Sequence, residues 1–234
     1  MPAVFHEFDD DAGLVGELAG RIVAELGAAI ARRGRATLAV SGGSTPRPLF
    51  AALAAAPMNW ARVAVTLVDE RWVPEDHPDS NARLVRETLL RDHAAAARFT
   101  GHRLDGADAF GAEAAVAARL RDFAEGIDVT VLGMGEDGHT ASFFPGAESL
   151  PRALDPDGDE LCVAVRPPAA PHDRTTLTLA ALLRSRRLYL HIVGTGKRDV
   201  LRRALASETS PALPVATLVR CSAVPVDVYY RPGN

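Results

Sequence analysis

Short apolar runs alternate along this chain with longer stretches in which apolar residues recur every three or four positions. The runs at residues 38–40, 63–68, 127–132, 161–165 and 188–193 read as strands, and their near-continuous apolar character is that of strands covered on both faces. Residues 4–8 read as a short edge strand, and 226–230, which alternate weakly, as the last strand. Helical periodicity covers 9–33, 46–56, 80–92 and 109–125, and resumes after 197 to about Ser207. Asp9, Asp10 and Asp11 supply an N-cap and first-turn acids to the first helix, and Gly34 stops it. Residues 174–178 lead into a short helix, and 214–218 form a short helical turn. Strands alternating with helices predict an α/β fold: a mostly parallel, Rossmann-like sheet with helices on both faces, residues 1–234 forming a single domain.

In such sheets ligands bind beyond the carboxyl ends of the strands. Four polar loops follow predicted strands, at 41–46, 69–74, 133–140 and 194–197, so they are expected on one rim. The richest is 133–140. Gly133, Gly135 and Gly138 crowd around Asp137 and His139, after a strand and before what reads as a short helix. The glycines spell the dinucleotide fingerprint G-x-G-x-x-G, but Pro145 interrupts the long helix that fingerprint requires, and residues 149–158 are turn-like. The loop instead offers an imidazole able to exchange protons near neutral pH, with Asp137 placed to orient it. A loop histidine that merely caps a helix is the plain alternative.

Composition narrows the field. The net charge is −4 and the arginines are spread along the chain, which argues against nucleic acid and acidic membranes as partners. Cys162 and Cys221 form no C-x-x-C pair, fitting a reducing compartment and no disulfide framework. No secretory pattern opens the chain and no 18-residue apolar run occurs, so a soluble cytoplasmic protein is expected.

Ser41-Gly42-Gly43-Ser44-Thr45-Pro46 reads as an anion cradle: glycines that let N–H groups point inward, two hydroxyls and a following helix. It lacks a Walker lysine, so one phosphate fits better than a triphosphate. Lys197, after Gly194-Thr195-Gly196, and Arg174, after a proline-rich loop, are candidate cations for that phosphate. Asp69 and Arg71 end a strand, where Arg71 can hold an oxyanion or carboxylate and Asp69 can orient it or meet a hydroxyl; the plain alternative is a local ion pair. G-x-S-x-G fails around Ser44, and His6, His77, His93, His102, His172 and His191 show no ligand spacing for zinc. His191, inside a strand, reads as a packed core histidine.

Ser41 to Pro46, Asp69-Glu70-Arg71-Trp72-Val73-Pro74, Ser80-Asn81-Ala82-Arg83, the segment from Gly133 through Asp137-Gly138-His139 to Pro145, and Gly196-Lys197 together resemble the 6-phosphogluconolactonase family over nearly the whole chain. Glucosamine-6-phosphate deaminase/isomerase relatives share the Asp-Gly-His core but differ at both flanks. They carry Asp-Glu-Tyr or Asp-Glu-Trp at positions 69–71, and an acid after the histidine that Thr140 to Phe144 lack. The resemblance implies hydrolysis of a sugar-phosphate lactone, 6-phospho-D-glucono-1,5-lactone, with no obligatory metal or organic cofactor. It implies His139, Asp137 and Arg71 as catalytic residues. Gly42, Gly43, Ser44, Thr45, Asp69, Asn81, Arg83, Arg174 and Lys197 are implied to bind substrate, in a monomer or weak homodimer. A deaminase of the same fold and a non-catalytic sugar-phosphate sensor are the alternatives.

Overall fold

A computed structural model describes residues 3–206 and 213–233. Seven strands make one wholly parallel sheet: β1 (Val4–Glu7), β2 (Ala36–Val40), β3 (Val63–Leu67), β5 (Arg98–Thr100), β6 (Val129–Leu132), β9 (Leu188–Val193) and β10 (Val226–Arg231), in the spatial order β1-β10-β9-β6-β2-β3-β5. β5 is an edge strand absent from the sequence reading; only three residues pair, too few to carry a pattern.

Each face of the sheet has its own core. Leu38, Val40, Val65, Leu67, Val129, Val131 and Tyr189 point toward the long helix α1 (Asp11–Arg33) and α2 (Arg47–Ala54). Their neighbours Ala39, Leu132, Leu188, Leu190 and Ile192 point the other way, toward α7 (Thr195–Ala206) and α8 (Pro214–Cys221). This is the two-residue period of a strand buried on both sides. α1 is set by its ends: Asp10 Oδ1 accepts from the Gly13 N–H at 2.8 Å, and Gly34, at φ +72°, donates its N–H to Ile30 O. The helix expected to end near Ser207 is described to Ala206, and Ser207 lies outside the described residues.

A second sheet is the main departure from expectation. β4 (Asp69–Arg71), β8 (Arg174–Leu177) and β7 (Cys162–Val165) pair antiparallel in the order β4-β8-β7. Residues 69–71, expected as loop, and 174–177, expected to lead into a helix, are strands. α6 (Leu179–Leu183) follows only after Thr178 caps it. The junction is continuous: Val68 N–H still bonds Val40 O, while Val68 O accepts from Leu177 N–H. Buried His102 pins it, one ring nitrogen against Leu67 O (3.0 Å) and the other against Thr175 Oγ1 (3.1 Å). Burial holds that imidazole neutral, its pKa pushed down to about 4. Two helices are also shorter than read: α3 spans Asn81–Thr88 and α4 Glu113–Arg119, the latter followed by a 3-10 turn at Arg121–Phe123.

Candidate active site

The carboxyl ends of β2, β6 and β9 open into a cleft of about 270 Å³, lined by residues of all four expected loops. That size suits a small molecule rather than a polymer. Ser41 to Pro46, Asp69, Arg71, Asn81, Gly135, His139, Arg174 and Lys197 line it.

His139 hangs from a chain of turns. Gly135 N–H bonds His139 O at 2.9 Å, Gly138 N–H bonds Gly135 O, and Thr140 Oγ1 donates to Gly133 O at 2.8 Å. The short helix expected here does not form. Gly138 and Ala141 take positive φ (+78° and +52°), and turns rather than helical bonds carry the chain past Pro145. Gly135 is required by contact: a Cβ there meets His139 Cε1 at 2.3 Å and Asp137 Oδ1 at 2.5 Å. Asp137 Oδ1 accepts from His139 Nδ1 at 2.5 Å and from the His139 N–H at 3.2 Å. An ionised carboxylate only accepts, so Nδ1 carries the proton and Nε2 is the basic nitrogen. Partial burial pushes the Asp137 carboxyl up, but the His139 N–H, the charge on its ring and its side-chain bond together hold it below its ordinary value. The imidazole lies 4.4 Å from the Phe144 ring, centroid to centroid, and the Arg174 guanidinium sits 5.0 Å from the same ring.

Arg71 is placed by Asn81 and by the loop before α3. Its Nη1 donates to Asp79 O at 2.6 Å and to Asn81 Oδ1 at 3.0 Å, and Asn81 Nδ2 donates to Asp69 O. Glu70 points away from the cleft and closes the start of α3, accepting from the N–H groups of Asn81 and Ala82 at 2.8 and 2.7 Å. Burial raises its pKa to about 7 against those bonds. Gly42 is needed for the same assembly, because a Cβ there falls 1.8 Å from Asn81 Oδ1. The two ends of the cleft therefore touch at one residue pair.

Arg174 was expected on the phosphate. It lines the cleft opposite Arg71 in the β4–β8 register, 3.8 Å from Asp69 Oδ2, and against Phe144. Burial lowers its pKa, and Arg71 adds to that while Asp69 opposes it. Asp69 also accepts from Ser142 Oγ at 2.6 Å, which ties the His139 loop to β4. Arg83 does not reach the cleft, because its guanidinium is spent on Glu87 (2.7 Å, one helical turn on) and Asp76 O.

At the other end, Gly43 adopts φ +97° and no side chain caps the start of α2. Pro46 and Pro48 have no N–H and Arg47 N–H bonds Ser44 O, so the helix itself offers few free donors and an anion here would rest on the 42–45 loop. Lys197, in the first turn of α7, reaches the cleft from across β9. His191 lines the cleft too, a placement the reading as a packed histidine missed; it is 4% exposed. Burial lowers its pKa to about 4, with Arg231 and Lys197 adding to the effect and Asp11 opposing it. One further correction concerns metal ligands. His77, Asp79 and His172, far apart in sequence, bring their donor atoms within 4.8 Å of one another. The group stands outside the cleft lining, with His172 Nε2 already 3.1 Å from Asp79 Oδ2.

The family signature described as "Glucosamine-6-phosphate isomerases/6-phosphogluconolactonase" matches residues 9–226. A 6-phosphogluconolactonase of Rhizobium meliloti is 43% identical over 232 residues, 99% of this chain and 100% of the relative. The crystal structure of a 6-phosphogluconolactonase from Shewanella baltica superposes with a TM-score of 0.94 at 44% identity, covering 98% of this chain and 97% of that one. The 6-phosphogluconolactonase structure from Trypanosoma brucei gives 0.81 at 26% identity, with 98% and 96% covered. The chain belongs to the glucosamine-6-phosphate isomerase/6-phosphogluconolactonase family.

Proposed function

We propose that the chain hydrolyses 6-phospho-D-glucono-1,5-lactone to 6-phospho-D-gluconate in the oxidative pentose phosphate pathway, with His139 as general base toward water. The observation that carries this reading is His139, held by Asp137, lining the same cleft as the 41–45 loop and Lys197. A lactone carbonyl is already electrophilic, so an activated water suffices and no covalent nucleophile is needed. His139 Nε2 takes a proton from water as its oxygen bonds to C1. Arg71, with Arg174 beside it, faces the negative charge that develops on the carbonyl oxygen, an interaction that elsewhere contributes about 3 kcal/mol. The C1–O5 bond then breaks, and the proton on His139 passes to the departing ring oxygen. The 41–45 loop and Lys197 hold the phosphate and so fix the lactone relative to His139.

The 234 residues act as one domain, as a monomer or weak homodimer, in the cytoplasm. Among the described residues no helix is long and apolar enough to cross a membrane. Stopped-flow hydrolysis of freshly generated lactone, with spontaneous hydrolysis subtracted, tests the activity. Rate acceleration is expected. Turnover of glucosamine 6-phosphate instead, or binding without acceleration, would contradict it.

A further inference from the structure

Two polar side chains at the closed end of the cleft are left without partners. His191 is 4% exposed and Ser41 8%, and among the described residues neither ring nitrogen of His191 nor Ser41 Oγ meets a hydrogen-bonding group. A histidine kept only for packing would be expected to satisfy at least one nitrogen, as His102 does with both. Unpaired buried polar atoms beside a ligand cleft point to a partner that arrives with the ligand.

The strand register shows where that partner sits. β6 and β9 pair with Leu132 opposite Leu190, so the next position on each sets Gly133 against His191. The row therefore continues Val131 and Tyr189 with a glycine and an imidazole on the same face. Gly42, in the loop beyond β2, is packed against by Asn81, whose Oδ1 lies 1.8 Å from where a Cβ would sit, so the space opens at Gly133 instead. A Cβ on Gly133 would meet nothing within 4 Å, so open space adjoins the ring. Lys197 and the uncapped start of α2 border the same cleft. The group that fits beside an N–H donor, a hydroxyl, an ammonium and a glycine loop is a compact multivalent oxyanion.

We propose that His191 and Ser41 are direct ligands of the substrate phosphate, donating an imidazole N–H and a hydroxyl to its oxygens from beneath the 42–45 loop. The inference rests on the reading of that loop as the phosphate cradle and adds two donors from below it. His191 then sets a preference for phosphorylated over plain lactones by leaving a buried donor unpaired when the phosphate is missing.

The test is competition by inorganic phosphate. In the unaltered chain it should inhibit lactone hydrolysis competitively. His191→Leu should raise both the phosphate inhibition constant and KM about tenfold or more, with a smaller change in kcat, as expected on losing a hydrogen bond to a charged group. Ser41→Ala should act in the same direction, and His191→Gln, which keeps an N–H donor, should recover most of the affinity. An unchanged inhibition constant in folded His191→Leu, with Lys197→Ala still weakening phosphate, overturns the His191 assignment alone. Absence of competition in the unaltered chain overturns the cradle reading with it. Should His191→Leu not fold, the imidazole ¹⁵N resonances of His191 in the unaltered chain decide: they shift as phosphate is added, and resonances that stay fixed at saturation overturn the proposal.

Discussion

The two ends of the cleft are built by different means. The closed end is mostly backbone: the glycine loop after β2 and one lysine on α7, mounted where parallel strands stop. The open end is mostly side chain. His139, Asp137, Arg71 and Arg174 are held by a second, antiparallel sheet and by turns, through contacts such as Ser142–Asp69, Asn81–Arg71 and Arg174–Phe144. A backbone cradle binds without reorganising, while a wall of side chains can place a base and two guanidiniums at chosen angles. The family reading thus assigns grip to the first end and chemistry to the second.

The largest effect should follow from removing the base. His139→Ala is expected to lower kcat by 10² or more, about the worth of general base catalysis, with KM changed far less. A near-normal kcat in single-turnover measurements would take the imidazole out of the reaction. Gly42→Ala sharpens the contrast by crossing it. The substitution lies in the cradle, yet its Cβ collides with Asn81, which holds Arg71. It should therefore depress kcat by about tenfold or more as well as raise KM, as befits a displaced oxyanion donor. An effect on KM alone would show that the two ends are uncoupled. Lys197→Ala should be the purer grip variant, raising KM about tenfold with kcat within a few-fold, the scale of a lost charge-assisted bond.

The smallest expected effect is on stability and concerns the junction between the sheets. His102 titrates near 6.5 when unfolded and about 4 when folded, so the unfolded chain binds the extra proton in between. Its contribution is intact above about pH 6.5 and declines as pH falls toward 4. Glu70, raised to about 7, works in the opposite sense, its contribution fully present below the ordinary carboxylate range and lost as pH rises through 7. Denaturant titrations of His102→Gln should show a flatter acid limb than the unaltered chain; parallel limbs would contradict a neutral His102.

That residues 41–46 and Lys197 share one cleft was legible in sequence because a polar, glycine-rich loop after a strand is a local pattern. The parallel order of the sheet was legible for the same reason. β4 and β8 were not: three and four residues, rich in charge and threonine, carry no period, and they pair with each other across about a hundred positions. That is why the sequence could not show Arg174 lying beside Asp69 and Phe144, and why Arg83 was brought in on its motif alone. His191 looked like a core residue because its neighbours in the strand are apolar. Only Gly133, just past the end of the adjacent strand, reveals the space beside it.

The division between grip and chemistry is tested most directly by a crystal structure with the product, 6-phosphogluconate, bound. The account predicts phosphate oxygens on the Gly42–Thr45 amides, Lys197 and His191, with the C1 carboxylate within hydrogen-bond reach of His139 Nε2 and beside Arg71. A phosphate seated on Arg71 and Arg174, with the carboxylate in the glycine loop, would contradict it.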